Sequence, residues 1–182
     1  MMKQTIGLGC MNLSHAYGNP VDPRQAVQTL QQAFELGYRH FDTATLYGDG
    51  NNEHLVGKAL GSVRDQIYLA SKCGMYLNKS KTKVIDGKPD SIKRQCEASL
   101  KRLNTDVIDL YYLHRRDFIT PIEESVGALA ELVQEGKIKA IGLSEVSALT
   151  LQRAHQVHPI TAVQSEYSLW TRNPEIAVLD FC

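Results

Sequence analysis

The sequence predicts an α/β fold organised around a parallel sheet, and three observations carry that reading. Short runs rich in Ile, Val, Leu and Tyr alternate with amphipathic stretches of helical period. The alternation recurs in about six near-regular units of about 30 residues each. The 182 residues are 43% hydrophobic and 22% charged, with twenty basic and twenty acidic side chains. That is the composition of a folded domain with one good core, not of a disordered chain. Such a chain forms either an open doubly wound sheet or a barrel. An eight-unit barrel takes roughly 250 residues, so a barrel of this length would be short by about two units.

The first apolar run covers residues 5–10. Asp22 and Pro23 then open a helix, because a carboxylate accepts from the first free N–H groups and proline is tolerated at the first helical position. Ala26, Leu30, Ala33 and Phe34 share its buried face, and Gly37 ends it. The second run covers 38–44. Asn52 is expected to cap a short helix with Leu55, Val56, Ala59 and Leu60 inward and Gly61 after it. The third run covers 66–72. A long polar loop follows, charged over 79–88, and Asp90 starts a helix in which Ile92, Cys96, Leu100 and Leu103 repeat at helical spacing.

The fourth run covers 107–114. Thr120, Pro121 and Glu123 read as a capping box before a helix whose stripe is Val126, Leu129, Leu132 and Val133, stopped by Gly136. The fifth run covers 138–144, with Ser147 capping a helix to about Val157. The sixth covers 160–167, and Asn173 with Pro174 is expected to start another helix.

The balanced charge excludes a protein that works through a basic field, so no nucleic-acid partner is expected. No apolar run approaches the ~20 residues of a membrane helix, and residues 1–5 lack the apolar core of a signal peptide. The expectation is a cytoplasmic protein with no membrane partner. The four cysteines, Cys10, Cys73, Cys96 and Cys182, are scattered without a C-x-x-C pair and read as reduced thiols. His155 and His158 lack a third ligand nearby, so no metal is expected.

The chemistry sits where the runs end. The second ends in Asp42, with Tyr47 shortly after; the third ends in Lys72; the fourth ends in His114. In a parallel α/β barrel these ends open onto one face, where catalytic groups converge. Each residue alone has an ordinary structural role; four titratable groups on three consecutive strand ends make a constellation. A phenol with an ordinary pKa of ~10 is a reluctant proton donor at neutral pH, and an adjacent ammonium favours the phenolate.

The residues over 41–48 (F-D-T-A-T-L-Y-G), 69–74 (L-A-S-K-C-G), 99–114 (S-L-K-R-L-N-T-D-V-I-D-L-Y-Y-L-H), 136–144 (G-K-I-K-A-I-G-L-S) and 162–168 (A-V-Q-S-E-Y-S) resemble the aldo-keto reductase family in order and across nearly the whole chain. The motif over 9–18 resembles the branch that acts on small aldehydes and ketones. The resemblance implies a TIM (β/α)8-barrel type of α/β fold, here with only about six βα units, so an incomplete barrel in one domain over 1–182. It implies reduction of a small carbonyl substrate by hydride transfer from NADPH. The implied tetrad is Asp42, Tyr47, Lys72 and His114: Tyr47 is the general acid, Lys72 tunes it, Asp42 holds Lys72, and His114 orients the carbonyl.

The resemblance places the nicotinamide end against Gly9, Cys10, Met11, Asp42, Ser144 and Gln164, where Ser144 and Gln164 supply a donor and an acceptor. Many relatives carry Asn after that serine; this chain has Glu145. The family has no Rossmann fingerprint, and neither Gly7 with Gly9 nor Gly48 with Gly50 completes one here. Strands seven and eight, with the nicotinamide-stacking aromatic and the phosphate-gripping loop, would follow residue 182. The expectation is therefore a C-terminally truncated member with two unpaired sheet edges through which it could form a homo-oligomer. The alternative is a catalytically inactive remnant acting, if at all, as an interaction protein.

Overall fold

The computed structural model describes residues 6–14 and 18–182. The start of the first apolar run at residue 5, the N-terminal segment 1–5 and positions 15–17 of the 9–18 motif lie outside the described residues. Strand β1 is Gly7–Gly9, followed by helix α1 (Pro23–Glu35), β2 (His40–Asp42), α2 (Asn51–Leu60) and β3 (Tyr68–Cys73). A hairpin of β4 (Met75–Leu77) and β5 (Lys83–Ile85) precedes α3 (Pro89–Leu103). Then come β6 (Leu110–Leu113), α4 (Ile122–Gln134), β7 (Ile141–Ser144), α5 (Ala148–Val157), β8 (Ile160–Gln164) and the short α6 (Val178–Phe181). The six strands other than the hairpin form one parallel sheet in the order β1-β2-β3-β6-β7-β8. It curls into an incomplete barrel with helices on its outer side. Sequential order with a helix after each strand is the barrel solution, since an open doubly wound sheet reverses direction at a switch point.

Alternation along the strands divides the core in two. Leu69, Cys73, Tyr111, Leu113, Ile141 and Leu143 face outward and pack on the helices, with Leu30, Val56, Ile92, Leu100 and Leu129 among their partners. Burying each large aliphatic side chain contributes about 1.5–3 kcal/mol. The inner face is built differently. Ala70, Leu110 and Tyr112 form a separate cluster with Tyr68, Ala140 and Ala162. Tyr112 lies beside Gly142 of the next strand, where a Cβ would stand 2.3 Å from its Cδ1.

The helix starts follow the sequence in part. Asp22 accepts from the N–H groups of Arg24 and Gln25 at 2.9 and 3.2 Å, and Ser147 accepts from that of Thr150 at 3.2 Å. Thr120 is no cap: α4 starts after Pro121, and the Thr120 hydroxyl donates to Asp117 at 2.8 Å. Asp117 also accepts from the N–H groups of Ile119 and Thr120, so this carboxylate organises the turn before the helix. Nor is Asn52 a cap. The cap position lies two residues earlier, at Gly50 with φ 86°, and Asn52 is buried.

The stretch over 79–88 is not all loop. Lys83–Ile85 pairs antiparallel with Met75–Leu77, and Asn78 holds the turn by accepting from the N–H groups of Ser80 and Thr82 at 3.0 and 2.9 Å. The segment after Asn173 is a single 3₁₀ turn, Asn173–Ile176, ahead of the four residues of α6. Among the described residues no helix is long and apolar enough to cross a membrane.

At the end of the barrel away from the strand C-termini, Asp109 accepts from the Leu69 N–H at 2.9 Å and from Lys139 at 2.7 Å, and pairs with Arg64 at 2.7 Å. Burial alone would raise its pKa; the Leu69 N–H, Lys139 and Arg64 outweigh burial and hold the carboxyl below its usual value. A depressed carboxyl adds stability above its unfolded pKa and loses it as pH falls through the lower folded value. We therefore expect the stability gap between the native chain and Asp109→Asn, measured by urea unfolding, to be widest at neutral pH. It should shrink as pH falls below about 4.

Candidate active site

The sheet delivers the four predicted residues to one corner at the strand C-terminal ends. Gly9, Asp42 and Ala70 stand in register across β1, β2 and β3, and Lys72 stands opposite Tyr112 across β3 and β6. Alternation puts Lys72 on the inner face and Ser71 on the outer. The Lys72 side chain is 0% exposed, and its ammonium has three donors. One goes to the Asp42 carboxylate, in a short ion pair, one to the Thr43 carbonyl at 2.9 Å, and one to the Tyr47 hydroxyl at 3.2 Å. The ammonium also lies 4.9 Å from the Tyr47 ring centroid. His114, just beyond β6, is held by its backbone N–H on the Cys73 carbonyl at 2.8 Å. Its ring meets that of Tyr47 edge to face, with centroids 5.8 Å apart and planes at 88°.

Tyr47 is carried by a tight reversal after β2 in which Gly48, Asp49 and Gly50 all have positive φ. The reversal packs on the hairpin: Ala44, Leu46, Tyr47 and Met75 form one buried cluster, and Lys81 pairs with Asp49 outside it.

The six residues assigned to a nicotinamide end divide into two sets. Gln164 donates to the second Asp42 oxygen at 3.1 Å. Ser144 stands in register with Gln164 and accepts from Arg115 at 2.9 Å. Gly9 is open, with nothing within 4 Å of where a Cβ would be. Met11 is half-buried against the Tyr47 cluster. Cys10 is set apart: it is fully buried, its N–H is bound to Asp42 and its carbonyl to Asn52. Burial first, and then the Asp42 charge, pushes its thiol up to about 12, so it is inert. Two inner-face groups nearby are also shifted. Burial, then Asp42, pushes the Tyr112 phenol up, and burial, helped by Lys72 against Asp42, pushes His40 down.

Sequence reasoning missed the side chains behind this corner. Asn52 accepts from the Thr43 hydroxyl at 2.6 Å and donates to Ser14 at 2.6 Å, stapling the ends of β1 and β2. Glu53 is fully buried and pairs with Arg102 across α2 and α3. These links join residues far apart in sequence, which periodicity does not register. Among the described residues no group of three or more His, Cys, Asp or Glu side chains is placed to hold a metal ion.

A model of the aldo/keto reductase family matches residues 5–182. The chain belongs to that family. It is 48% identical over 178 residues to a protein from Glycine max named probable aldo-keto reductase 1, covering 97% of this chain and 51% of the relative. The chain thus spans about half the length of the curated relative it matches. Among solved structures, the holo form of an aldo-keto reductase from Bacillus halodurans superposes with a TM-score of 0.86 at 35% identity, over 97% of this chain and 58% of that one. A glycerol dehydrogenase from Gluconobacter oxydans gives 0.88 at 33%, over 96% of this chain and 55% of that one. An aldo/keto reductase from Klebsiella pneumoniae, solved with NADP and acetate, gives 0.82 at 32%, over 97% and 59%. The aldo/keto reductase relatives thus share the curled parallel sheet, and one of them holds NADP.

Proposed function

We propose that the chain provides the acid–base half of an NADPH-dependent reductase acting on small aldehydes and ketones, as one partial-barrel domain. The observation that carries this reading is the three-way commitment of the Lys72 ammonium to Asp42, Thr43 and the Tyr47 hydroxyl. An ammonium fixed beside a phenol eases release of its proton. Tyr47 is the group that protonates a carbonyl oxygen, His114 holds that oxygen beside it, and Asp42 holds Lys72 in place. A positioned proton donor is worth about 10²–10⁴ in rate.

The inner face suits the cofactor that the Klebsiella relative binds. Gly9 leaves open space, and Arg115 and Asp42 occupy the Ser144 lone pair and the Gln164 amide nitrogen. That leaves the Ser144 hydroxyl hydrogen and the Gln164 carbonyl for a carboxamide, which needs one acceptor and one donor. When bound, NADPH supplies the hydride, which no side chain can. The test is a fluorescence titration of NADPH into the purified chain. Saturable binding at micromolar levels supports the reading; no binding up to millimolar cofactor overturns it for this chain.

A further inference from the structure

We propose that Arg102 and Glu53 are positioning residues that fix the Tyr47 hydroxyl against the Lys72 ammonium. The inference rests on the reading of Tyr47 as proton donor and deepens it. Glu53 lies on α2 with no exposure, and its two oxygens do different things. Oε1 accepts from the Ser71 hydroxyl at 2.6 Å. Ser71 immediately precedes Lys72 and points out of the opposite face of β3. The strand end is therefore pinned from both sides, by Glu53 outside and Asp42 inside.

Oε2 accepts from Arg102 Nε at 2.6 Å. The same guanidinium extends its Nη2 to the Thr45 and Ser99 hydroxyls, each at 3.3 Å. Thr45 lies in the segment between Asp42 and Tyr47, and its N–H donates to the Lys72 carbonyl at 3.2 Å. One ion pair thus touches the neighbour of Lys72 through Ser71 and the approach to Tyr47 through Thr45.

The reversal carrying Tyr47 closes over the arginine. A Cβ at Gly50 would stand 2.7 Å from Arg102 Cδ and 2.8 Å from its Nε. The guanidinium is planar and forked, so it fixes both branches at once; a lysine could keep the charge but not the fork. The clamp meets β3 on its outer face through Ser71 and meets the segment before Tyr47 through Thr45. It therefore acts through geometry, and about 1 Å of misplacement at a reacting group can cost on the order of a hundredfold.

The test uses Arg102→Lys, which keeps a cation for Glu53 and loses the fork, and Thr45→Val, which keeps the shape and loses the hydroxyl. Thr45→Ser, which restores the hydroxyl, is the rescue control. Two readouts are taken on the full chain: steady-state reduction of butanal by NADPH, and the NMR contact between Tyr47 ring protons and Lys72 Cε protons. We expect Arg102→Lys and Thr45→Val to lower kcat roughly tenfold to a hundredfold with KM for NADPH unchanged. They should weaken the Tyr47–Lys72 contact, leave the melting temperature close to that of the native chain, and Thr45→Ser should recover both readouts. Native kcat and an undiminished contact in both variants overturn the proposal. So does a fall of kcat and melting temperature with a rise of KM that Thr45→Ser fails to reverse, because that marks a structural role only. If the native chain reduces no carbonyl, the reading of Tyr47 as acid fails at that step, and the NMR contact alone decides the clamp.

Discussion

Tyr47→Phe is expected to lower carbonyl reduction by about 10²–10⁴ while NADPH binds as before. The hydroxyl is the only atom lost. Tyr47 is 8% exposed and its ring packs with Ala44, Leu46 and Met75, contacts that phenylalanine keeps. The Lys72 ammonium retains two of its three acceptors, Asp42 and the Thr43 carbonyl. Fold and charge balance therefore persist, and the loss falls on the proton. A steady-state assay paired with a binding titration separates the two quantities. Unchanged turnover would remove Tyr47 from the role of acid. The phenol nearby on the inner face, Tyr112, is a poor substitute, because burial and then the Asp42 charge push its pKa up.

The second large effect is on stability. Gly57→Ala is expected to destabilise the chain by about 2 kcal/mol, although the same change in an open helix would stabilise it by about 1 kcal/mol. Position 57 is where α2 crosses α3. A Cβ there would lie 2.5 Å from the Leu103 carbonyl oxygen, 2.7 Å from its carbon and 2.9 Å from the Arg102 oxygen. These are backbone atoms, so no side-chain rotation relieves the clash and the helices must separate. For a chain of this size the expected fall in melting temperature is roughly 4–8 °C. Urea unfolding decides the sign: a gain in stability would mean that helix propensity outweighs the close approach. The carbonyls that exclude the methyl belong to the end of α3 that carries Arg102, so the variant should also lose activity beyond its loss of folded population.

Much of this was legible in the sequence because it is written in local period. The buried faces of α1, α3 and α4 follow from Leu30, Ile92 and Leu129 at helical spacing, and the strands follow from runs such as 107–114. Asp42, Tyr47, Lys72 and His114 could be singled out because polar groups ending apolar runs stand out. What the sequence hid is non-local or too short to show a period. The strands Met75–Leu77 and Lys83–Ile85 have three residues each, and polar Asn78 with Lys81 between them resembles any solvated loop. Thr120 matches a capping box by spacing, yet Asp117 engages both its hydroxyl and its N–H and turns it away from the helix start. Glu53 and Arg102 are 49 positions apart, and each alone reads as a solvated helix charge. Only the crossing of α2 and α3 makes them a pair.

The inner face also carries an evolutionary constraint. Gly142 makes room for the ring of Tyr112 on the adjoining strand, and the two residues divide a single volume between them. A larger residue at 142 cannot be accepted while the aromatic stands, and a smaller residue at 112 leaves a void that only growth at 142 refills. Neither position drifts freely. Growth at 142 therefore has to follow a reduction at 112, and the pair is constrained as a unit.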